Sequence, residues 1–177
     1  MTKLRVGIHG LGRIGRAVFR IQHDCREFDL VLINEINPDI HNLAYLLNYD
    51  SLYGGLKPPV HVRQQQLCQD GQTIAVSHCP DITQAPWQAH GVDVIIDASG
   101  VNNAERLAHW HSFPGWTIST RASTDARIST CVFGVNDHTL DLAHQRRLSS
   151  SICDTVALAP LAQLLEQHFG LEYGRLT

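Results

Sequence analysis

Short apolar runs alternate with helical patterns along most of the chain. Residues 4–9 form a short, mainly apolar run, and residues 28–33 are rich in Leu, Val and Ile, as expected of a parallel strand that is buried on both faces. Between them, a glycine-rich turn leads into apolar positions at residues 17–21 whose spacing predicts a helix. The chain therefore begins with a predicted strand, turn, helix and second strand.

The segment that follows changes character. Residues 38–48 have apolar positions at helical spacing, whereas residues 49–80 contain glycine and proline pairs between short alternating stretches. Such alternation around turns is typical of short antiparallel strands. We interpret residues 49–80 as an insertion within an α/β pattern.

Regular alternation of strands and helices then resumes. The pattern predicts strands at 92–96, 116–119, 131–134 and 148–152, and helices at 103–111, 137–146 and 154–169. Gly170 suits the left-handed position that ends a helix. The whole pattern predicts an α/β fold of the Rossmann type, a doubly wound and mainly parallel sheet with a small antiparallel insertion. Ligands of such sheets bind at the carboxyl ends of the strands.

Composition narrows the class of protein. The 177 residues are 44% hydrophobic with a net charge of -3, which suits one soluble domain with its own core. No apolar run is long enough to span a membrane, and the charge gives no reason to expect nucleic acid or a membrane surface as a partner. The 5 cysteines include no C-x-x-C pair, so we expect no metal site, no disulfide framework and a cytoplasmic location.

A glycine motif connects the first predicted strand and helix. Gly10 would permit a tight turn, Gly12 would let a pyrophosphate approach the backbone, and Gly15 would let the helix lie close to the strand. The helix amides would supply an anion site. Glu35 follows the second strand and is placed to accept hydrogen bonds from both ribose hydroxyls of an adenosine. A 2′-phosphate would meet this carboxylate, so we expect NAD rather than NADP.

Other candidate contacts have two readings each. Arg13 and Arg16 are either a solvated helix face or ligand contacts. Ser99 and Gly100 follow another buried strand, where they would either bring backbone close to a cofactor or form an ordinary turn. Asp97 suits a helix cap or a polar strand end, and we assign it no chemistry.

Cys153 lies at a predicted junction between a strand and a helix. A thiol at a helix N-terminus can be activated as a nucleophile, although a lone cysteine is commonly an inert core residue. The position of Cys153 after the last strand of a dinucleotide-binding fold favours a catalytic role. A thiolate beside the nicotinamide would attack an aldehyde, and the resulting thiohemiacetal would give a hydride to NAD and leave a thioester. That chemistry needs a general base, and the sequence does not identify any of the 11 histidines as that base. His9 either touches the cofactor or only ends its strand.

Six segments resemble the glyceraldehyde-3-phosphate dehydrogenase family, in the same order along the chain. They are residues 6–16, 33–35, 48–51, 98–101, 133–136 and 158–162. Residues 34–35, 86–87 and 91–94 are somewhat more similar to the erythrose-4-phosphate dehydrogenase branch. The resemblance spans the whole chain.

The resemblance implies a glycolytic, phosphorylating aldehyde dehydrogenase that acts on a small phosphorylated aldehyde as a homo-oligomer. It implies that Cys153 is the nucleophile and that Glu35 binds the adenosine ribose. The other candidate cofactor-binding residues are Gly10, Leu11, Gly12, Arg13, Ile14, Gly15, Ser99, Gly100 and Ser119.

Departures from the family pattern lie where its chemistry would be, and one of them is that Tyr53 or Gly54 takes the place of the family's histidine after the Tyr-Asp-Ser triplet. His9 replaces the asparagine before the first glycine, and Ile152 and Asp154 replace the hydroxyl residues that flank the nucleophile and help to hold phosphate. At about 4 Å, the carboxylate of Asp154 would repel a phosphate by about 1 to 4 kcal/mol. Alternatively, Asp154 only caps the helix with its carboxylate turned away.

Residues 1–152 are expected to be the NAD-binding domain. Residues 153–177 would be a junction helix and the start of a catalytic domain that is otherwise absent, because the family's catalytic histidine is expected beyond the last residue. We therefore expect a truncated chain that binds NAD and is incomplete for catalysis. The alternatives are a diverged, non-phosphorylating or inactive relative and a free-standing NAD-binding or interaction module.

Overall fold

The computed structural model describes residues 2–175. Its strands are β1 (Arg5–His9), β2 (Asp29–Asn34), β3 (Tyr49–Asp50), β4 (Gly54–Gly55), β5 (His61–Arg63), β6 (Gln66–Gln69), β7 (Gln72–Ser77), β8 (Val94–Asp97), β9 (Trp116–Ser119), β10 (Ser129–Thr130) and β11 (Arg147–Ser149). Its α-helices are α1 (Arg13–Cys25), α2 (Ile40–Asn48), α3 (Ala104–His109) and α4 (Cys153–Phe169). Short 3-10 turns lie at Ile82–Gln84 and Asp137–Thr139.

Most strands form one sheet of nine, in the order β10-β11-β9-β8-β1-β2-β7-β6-β5. Every ladder from β10 to β7 is parallel, and the β7-β6-β5 ladders are antiparallel. The predicted α/β fold of the Rossmann type is thereby confirmed.

The structure divides the predicted insertion of residues 49–80 into two parts. β3 and β4 form a separate two-stranded sheet, whereas β7 pairs with β2 in parallel and is an integral strand of the main sheet. β6 and β5 then extend the sheet in antiparallel fashion. The antiparallel strands are as expected. The alternation of apolar and polar residues within β7 could not show that this strand pairs with β2, which is distant in sequence.

The core lies on both faces of the sheet. Adjacent residues of β2 illustrate this, because Leu32 and Ile33 are both fully buried but belong to different clusters. Ile33 packs in the cluster that includes Phe19 of α1 and Leu43 of α2, and Leu32 packs in the cluster that includes Trp87. Since successive side chains of a strand point to opposite faces, the two clusters lie on opposite faces of the sheet.

The segment between β10 and β11 corrects two predictions. Residues 131–134 are not a strand, because β10 ends at Thr130 and Gly134 has a φ of +79°. Residues 137–146 contain a 3-10 turn in place of the predicted helix. The side chains of Asp137 and Asp141 accept hydrogen bonds from nearby backbone N–H groups, and such local bonds compete with a helix.

The last helix agrees closely with its predicted range but differs in its environment and its end. α4 starts at Cys153 and contains no buried residue. Gly170 has a φ of +73° with a ψ of 134°, so the predicted left-handed cap is wrong. Within residues 2–175, no helix is long and apolar enough to cross a membrane.

Arg147 fastens β11 to the segment that follows α3. Its guanidinium donates hydrogen bonds to backbone carbonyls of residues outside β11, and burial lowers the pKa of Arg147. The carbonyl oxygens lie 2.8–3.2 Å away, on Leu107, Trp110, Phe113, Gly115 and Arg146.

We expect Arg147→Ala to lower the free energy of unfolding by about 2 to 4 kcal/mol, because several carbonyls lose a charged donor at once. Arg146→Ala is the matched control, since that exposed neighbour donates to one carbonyl, on Pro114. Urea unfolding of the two variants checks this, and an equal loss in both would contradict it.

Candidate functional site

A row of polar residues lines the carboxyl edge of the parallel sheet. Each strand with a parallel neighbour ends in a polar residue, and the registers pair these last residues directly with one another. In sheet order they are Thr130, Ser149, Ser119, Asp97, His9, Asn34 and Ser77. This is the edge at which doubly wound sheets bind their ligands.

Gly10 and Gly15 allow β1, α1 and the turn after β8 to approach one another. Gly10 has a φ of +88°, and a Cβ built on it would lie 2.4 Å from the Cα of Ser99. A Cβ on Gly15 would lie 2.1 Å from the carbonyl oxygen of Gly10. A Cβ on Gly12, in contrast, would meet nothing within 4 Å. Two glycines of the motif are thus needed for packing, and the third leaves open space.

The carboxylate of Glu35 lies against the glycine turn. Its Oε2 accepts a hydrogen bond of 2.6 Å from the N–H of Leu11, and its Oε1 accepts one of 3.2 Å from the N–H of Asn37. A carboxylate oxygen can accept more than one hydrogen bond, so both oxygens retain capacity for further donors. The structure therefore brings the acidic residue and the glycine turn together, as expected from their order in the sequence.

The turn after β8 lies beside the glycine turn. The hydroxyl of Ser99 donates to Asp97 over 2.7 Å, and the carbonyl of Gly100 accepts from Arg121 over 2.5 Å. Ser119 is only 4% exposed, and its hydroxyl accepts from the N–H of Arg121 over 3.2 Å. Asp97 therefore has the structural role of ordering a turn, and Ser119 has less access to a ligand than Ser99.

The two arginines at the start of α1 differ in their surroundings. Arg16 donates to the carbonyl of Leu11 over 3.2 Å, and its Nε lies 3.9 Å from the carboxylate of Asp50. Arg13 is exposed in the first turn of the helix, as is Ile14. These residues line a cavity of about 460 Å³ together with residues 50–53. Arg16 thus helps to hold the neighbouring loop, and Arg13 stays free to face a ligand.

His9 belongs to a buried polar network that the sequence did not indicate. The backbone N–H of Cys79 donates to Oδ1 of Asn34, which leaves the amide nitrogen of Asn34 to donate to Nδ1 of His9 over 2.8 Å. The neutral ring of His9 therefore carries its proton on Nε2. Burial lowers the pKa of His9, although Asp97, Glu35 and Asp81 oppose that effect. The signal in the sequence that could have indicated this network is the polar residue at the end of each parallel strand.

We expect this network to make the folded state sensitive to acid. Because the pKa of His9 is lowered by folding, its stabilising contribution is present above about pH 6.5, the unfolded value, and is lost as the pH falls below it. Urea unfolding at pH 7.5 and pH 5.5 measures this, and His9→Asn should reduce the difference between the two. The exposed His41→Asn is the control, and an equal reduction there would contradict the assignment.

Cys153 is the first residue of α4 and is exposed. The junction before it is held by Ser150, whose N–H donates to the carbonyl of Ser119 over 2.8 Å, and by the buried Ser151, which has a φ of +67°. Ile152 is the N-cap and supplies no side-chain hydrogen bond, and Asp154 is exposed in the first turn. Three strand spacings, about 14 Å, separate β1 from β11, the strand that precedes Cys153.

Comparison with known proteins agrees with this geometry. A family model described as "Glyceraldehyde 3-phosphate dehydrogenase, NAD binding domain" matches residues 4–105. The chain is 35% identical over 176 residues to a glyceraldehyde-3-phosphate dehydrogenase of Priestia megaterium and to glyceraldehyde-3-phosphate dehydrogenase 1 of Bacillus subtilis. It is 37% identical over 185 residues to the glyceraldehyde-3-phosphate dehydrogenase of Mycobacterium leprae.

These alignments cover 98% of this chain and 52–53% of the three relatives, so the chain spans about half the length of the curated relatives it matches. The fold and the glycine turn define a dinucleotide-binding domain of the Rossmann type. The chain belongs to the glyceraldehyde-3-phosphate dehydrogenase family, whose NAD-binding domain it carries, and NAD is its cofactor.

Proposed function

We propose that this chain binds NAD with the pyrophosphate at residues 10–15 and the adenosine ribose at Glu35. The observation that carries the proposal is the open space at Gly12 next to a carboxylate already in contact with the same turn. The start of α1 adds unpaired backbone N–H groups and a partial positive charge, both of which favour a phosphate. The residues present therefore fit a dinucleotide.

The other proposed contacts follow the edge of the sheet in both directions from this turn. Leu11, Arg13 and Ile14 border the pyrophosphate position at the start of α1. Ser99 and Gly100 would lie beneath the cofactor, since Ser99 approaches Gly10. Ser119 stays a proposed contact further along the edge, toward Cys153.

The proposal separates the packing role of the glycines from their binding role. Gly12→Ala should fold as stably as the wild type, because its Cβ meets nothing, but should bind NAD at least tenfold more weakly. Glu35→Gln keeps an acceptor for the N–H of Leu11 but loses the charge. We therefore expect about tenfold weaker NAD binding with no gain in the free energy of unfolding. Isothermal titration calorimetry measures both affinities.

Two controls accompany that titration. Glu27→Gln removes an exposed carboxylate before β2 and should leave the affinity unchanged. Gly15→Ala should instead lower stability, since its Cβ would clash with the backbone of Gly10. If the wild type fails to bind NAD, or if Gly12→Ala and Glu35→Gln bind it normally, the proposal is wrong.

We further infer that Cys153 is the nucleophile of an aldehyde oxidation and that the substrate is a small phosphorylated aldehyde, as the names of the relatives indicate. Bound NAD would accept the hydride. The exposed thiol at the start of α4 would add to the aldehyde carbonyl. Within residues 2–175, no histidine hydrogen-bonds to this thiol, so the base is not supplied by a formed pair.

We therefore expect the chain to bind NAD but to form no NADH from glyceraldehyde-3-phosphate. Cys153→Ser should leave the NAD affinity unchanged, because Cys153 follows β11, which is three strands away from β1 and the glycine turn. Absorbance at the NADH band and calorimetry on the same samples check the two statements. Aldehyde-dependent NADH formation that Cys153→Ser abolishes would show instead that the chain is complete for the reaction.

A diverged relative without phosphorylating activity is the second candidate. Asp154 places an exposed carboxylate in the first turn beside the thiol, where a phosphate would otherwise be attracted to the helix N-terminus. Asp154→Thr restores a hydroxyl at that position, and inorganic phosphate should then slow alkylation of Cys153 more strongly than in the wild type. Unaltered protection by phosphate would favour the simple capping role of Asp154. A cytoplasmic location and a homo-oligomer stay predictions.

A further inference from the structure

His78 holds a fixed position beside the proposed ribose site. β2 and β7 are parallel neighbours whose last residues, Asn34 and Ser77, are direct partners, so Glu35 and His78 follow the two strands side by side. The N–H of Glu35 donates to the carbonyl of Ser77 over 2.9 Å. In return, Nδ1 of His78 lies 2.7 Å from the backbone oxygen of Glu35, and the side chain of His78 is exposed.

That contact decides which ring nitrogen of His78 carries the proton. A backbone carbonyl can only accept a hydrogen bond, so Nδ1 of His78 must be the donor. In the neutral ring, Nε2 then has a free lone pair and is a hydrogen-bond acceptor. The ring thus presents an oriented acceptor at the carboxyl edge, next to Glu35.

The direction of the bound nucleotide follows from the order of the strands. The pyrophosphate position follows β1 and the ribose position follows β2, so the same direction along the edge leads to the loop after β7. Neighbouring strands are about 4.8 Å apart, which is similar to the distance from one component of a nucleotide to the next. In the proposed binding mode, the base attached to the ribose would therefore lie near His78.

We propose that His78 reads the base of the cofactor, with its Nε2 accepting a hydrogen bond from the 6-amino group of adenine. A 6-oxo purine would present an acceptor at that position, facing another acceptor. The residue would thus select adenine dinucleotides over their hypoxanthine counterparts. This proposal rests on the proposed NAD site and assigns one of its specificity-determining residues.

Asparagine is the decisive substitution at position 78. Its side-chain amide reaches as far as Nδ1 of a histidine and can keep the hydrogen bond to the carbonyl of Glu35, but it has no atom at the position of Nε2. His78→Asn therefore preserves the structural contact and removes only the proposed reader. His78→Gln is the converse variant, because its longer side chain can place an acceptor near the position of Nε2.

The test is calorimetric titration of the full chain with NAD and with nicotinamide hypoxanthine dinucleotide at pH 8. We expect the wild type to bind NAD about tenfold more tightly than the hypoxanthine form, the result of one unmatched hydrogen bond. His78→Asn should bring the ratio close to one with unchanged stability to urea, and His78→Gln should keep part of the preference. The remote His61→Asn, on β5, should leave the ratio as in the wild type.

The outcomes separate this proposal from the one on which it rests. If the wild type binds both dinucleotides equally, or if His78→Asn keeps the tenfold ratio, His78 does not read the base. NAD binding that still depends on Gly12 and Glu35 would leave the cofactor site standing in either case. Absence of NAD binding by the wild type would overturn both proposals.

Discussion

The close approach of two turns at the centre of the sheet is the constraint on which the rest of the molecule depends. The turn after β1 passes the turn after β8 so closely that a Cβ at Gly10 would lie 2.4 Å from the Cα of Ser99. α1 then starts directly above β1, because Gly15 has no Cβ to collide with Gly10. These contacts position the helix N-terminus over the carboxyl edge, which is the basis of the proposed pyrophosphate site.

The polar row along this edge would be costly to bury without partners. Its central members are satisfied by one another and by backbone: His9 pairs with Asn34, and Asp97 accepts from Ser99 and Asn103. Asn34 joins three strands, since it also bonds to Ser77 of β7. The row therefore stiffens the edge of the sheet and holds in place the residues that follow it, such as Glu35.

The proposed cofactor-binding residues and the helix that begins with Cys153 differ in how extensively they pack against the rest of the structure. The glycine turn, Glu35 and Ser99 each follow the end of a buried strand, and Glu35 and Ser99 both contact the turn. α4, which begins with Cys153, has no buried residue and contacts the domain through few bonds, such as that from Gln163 to the carbonyl of Val135. Packing therefore fixes the residues of the proposed nucleotide site more firmly than it fixes α4.

The sequence by itself determined the glycine turn, the acidic residue that follows β2, the α/β class of the fold and the start of α4 to within one residue. Each of these depends on local spacing or on the absence of a side chain, which can be read directly along the chain. Only the tertiary structure decided that β7 joins the main sheet, that residues 137–146 form turns and that His9 is bonded to Asn34. It alone placed His78 against Glu35, 43 positions away in sequence. The reason is that strand order sets which distant residues become neighbours, and hydrogen bonds between such neighbours leave no periodic pattern in the sequence.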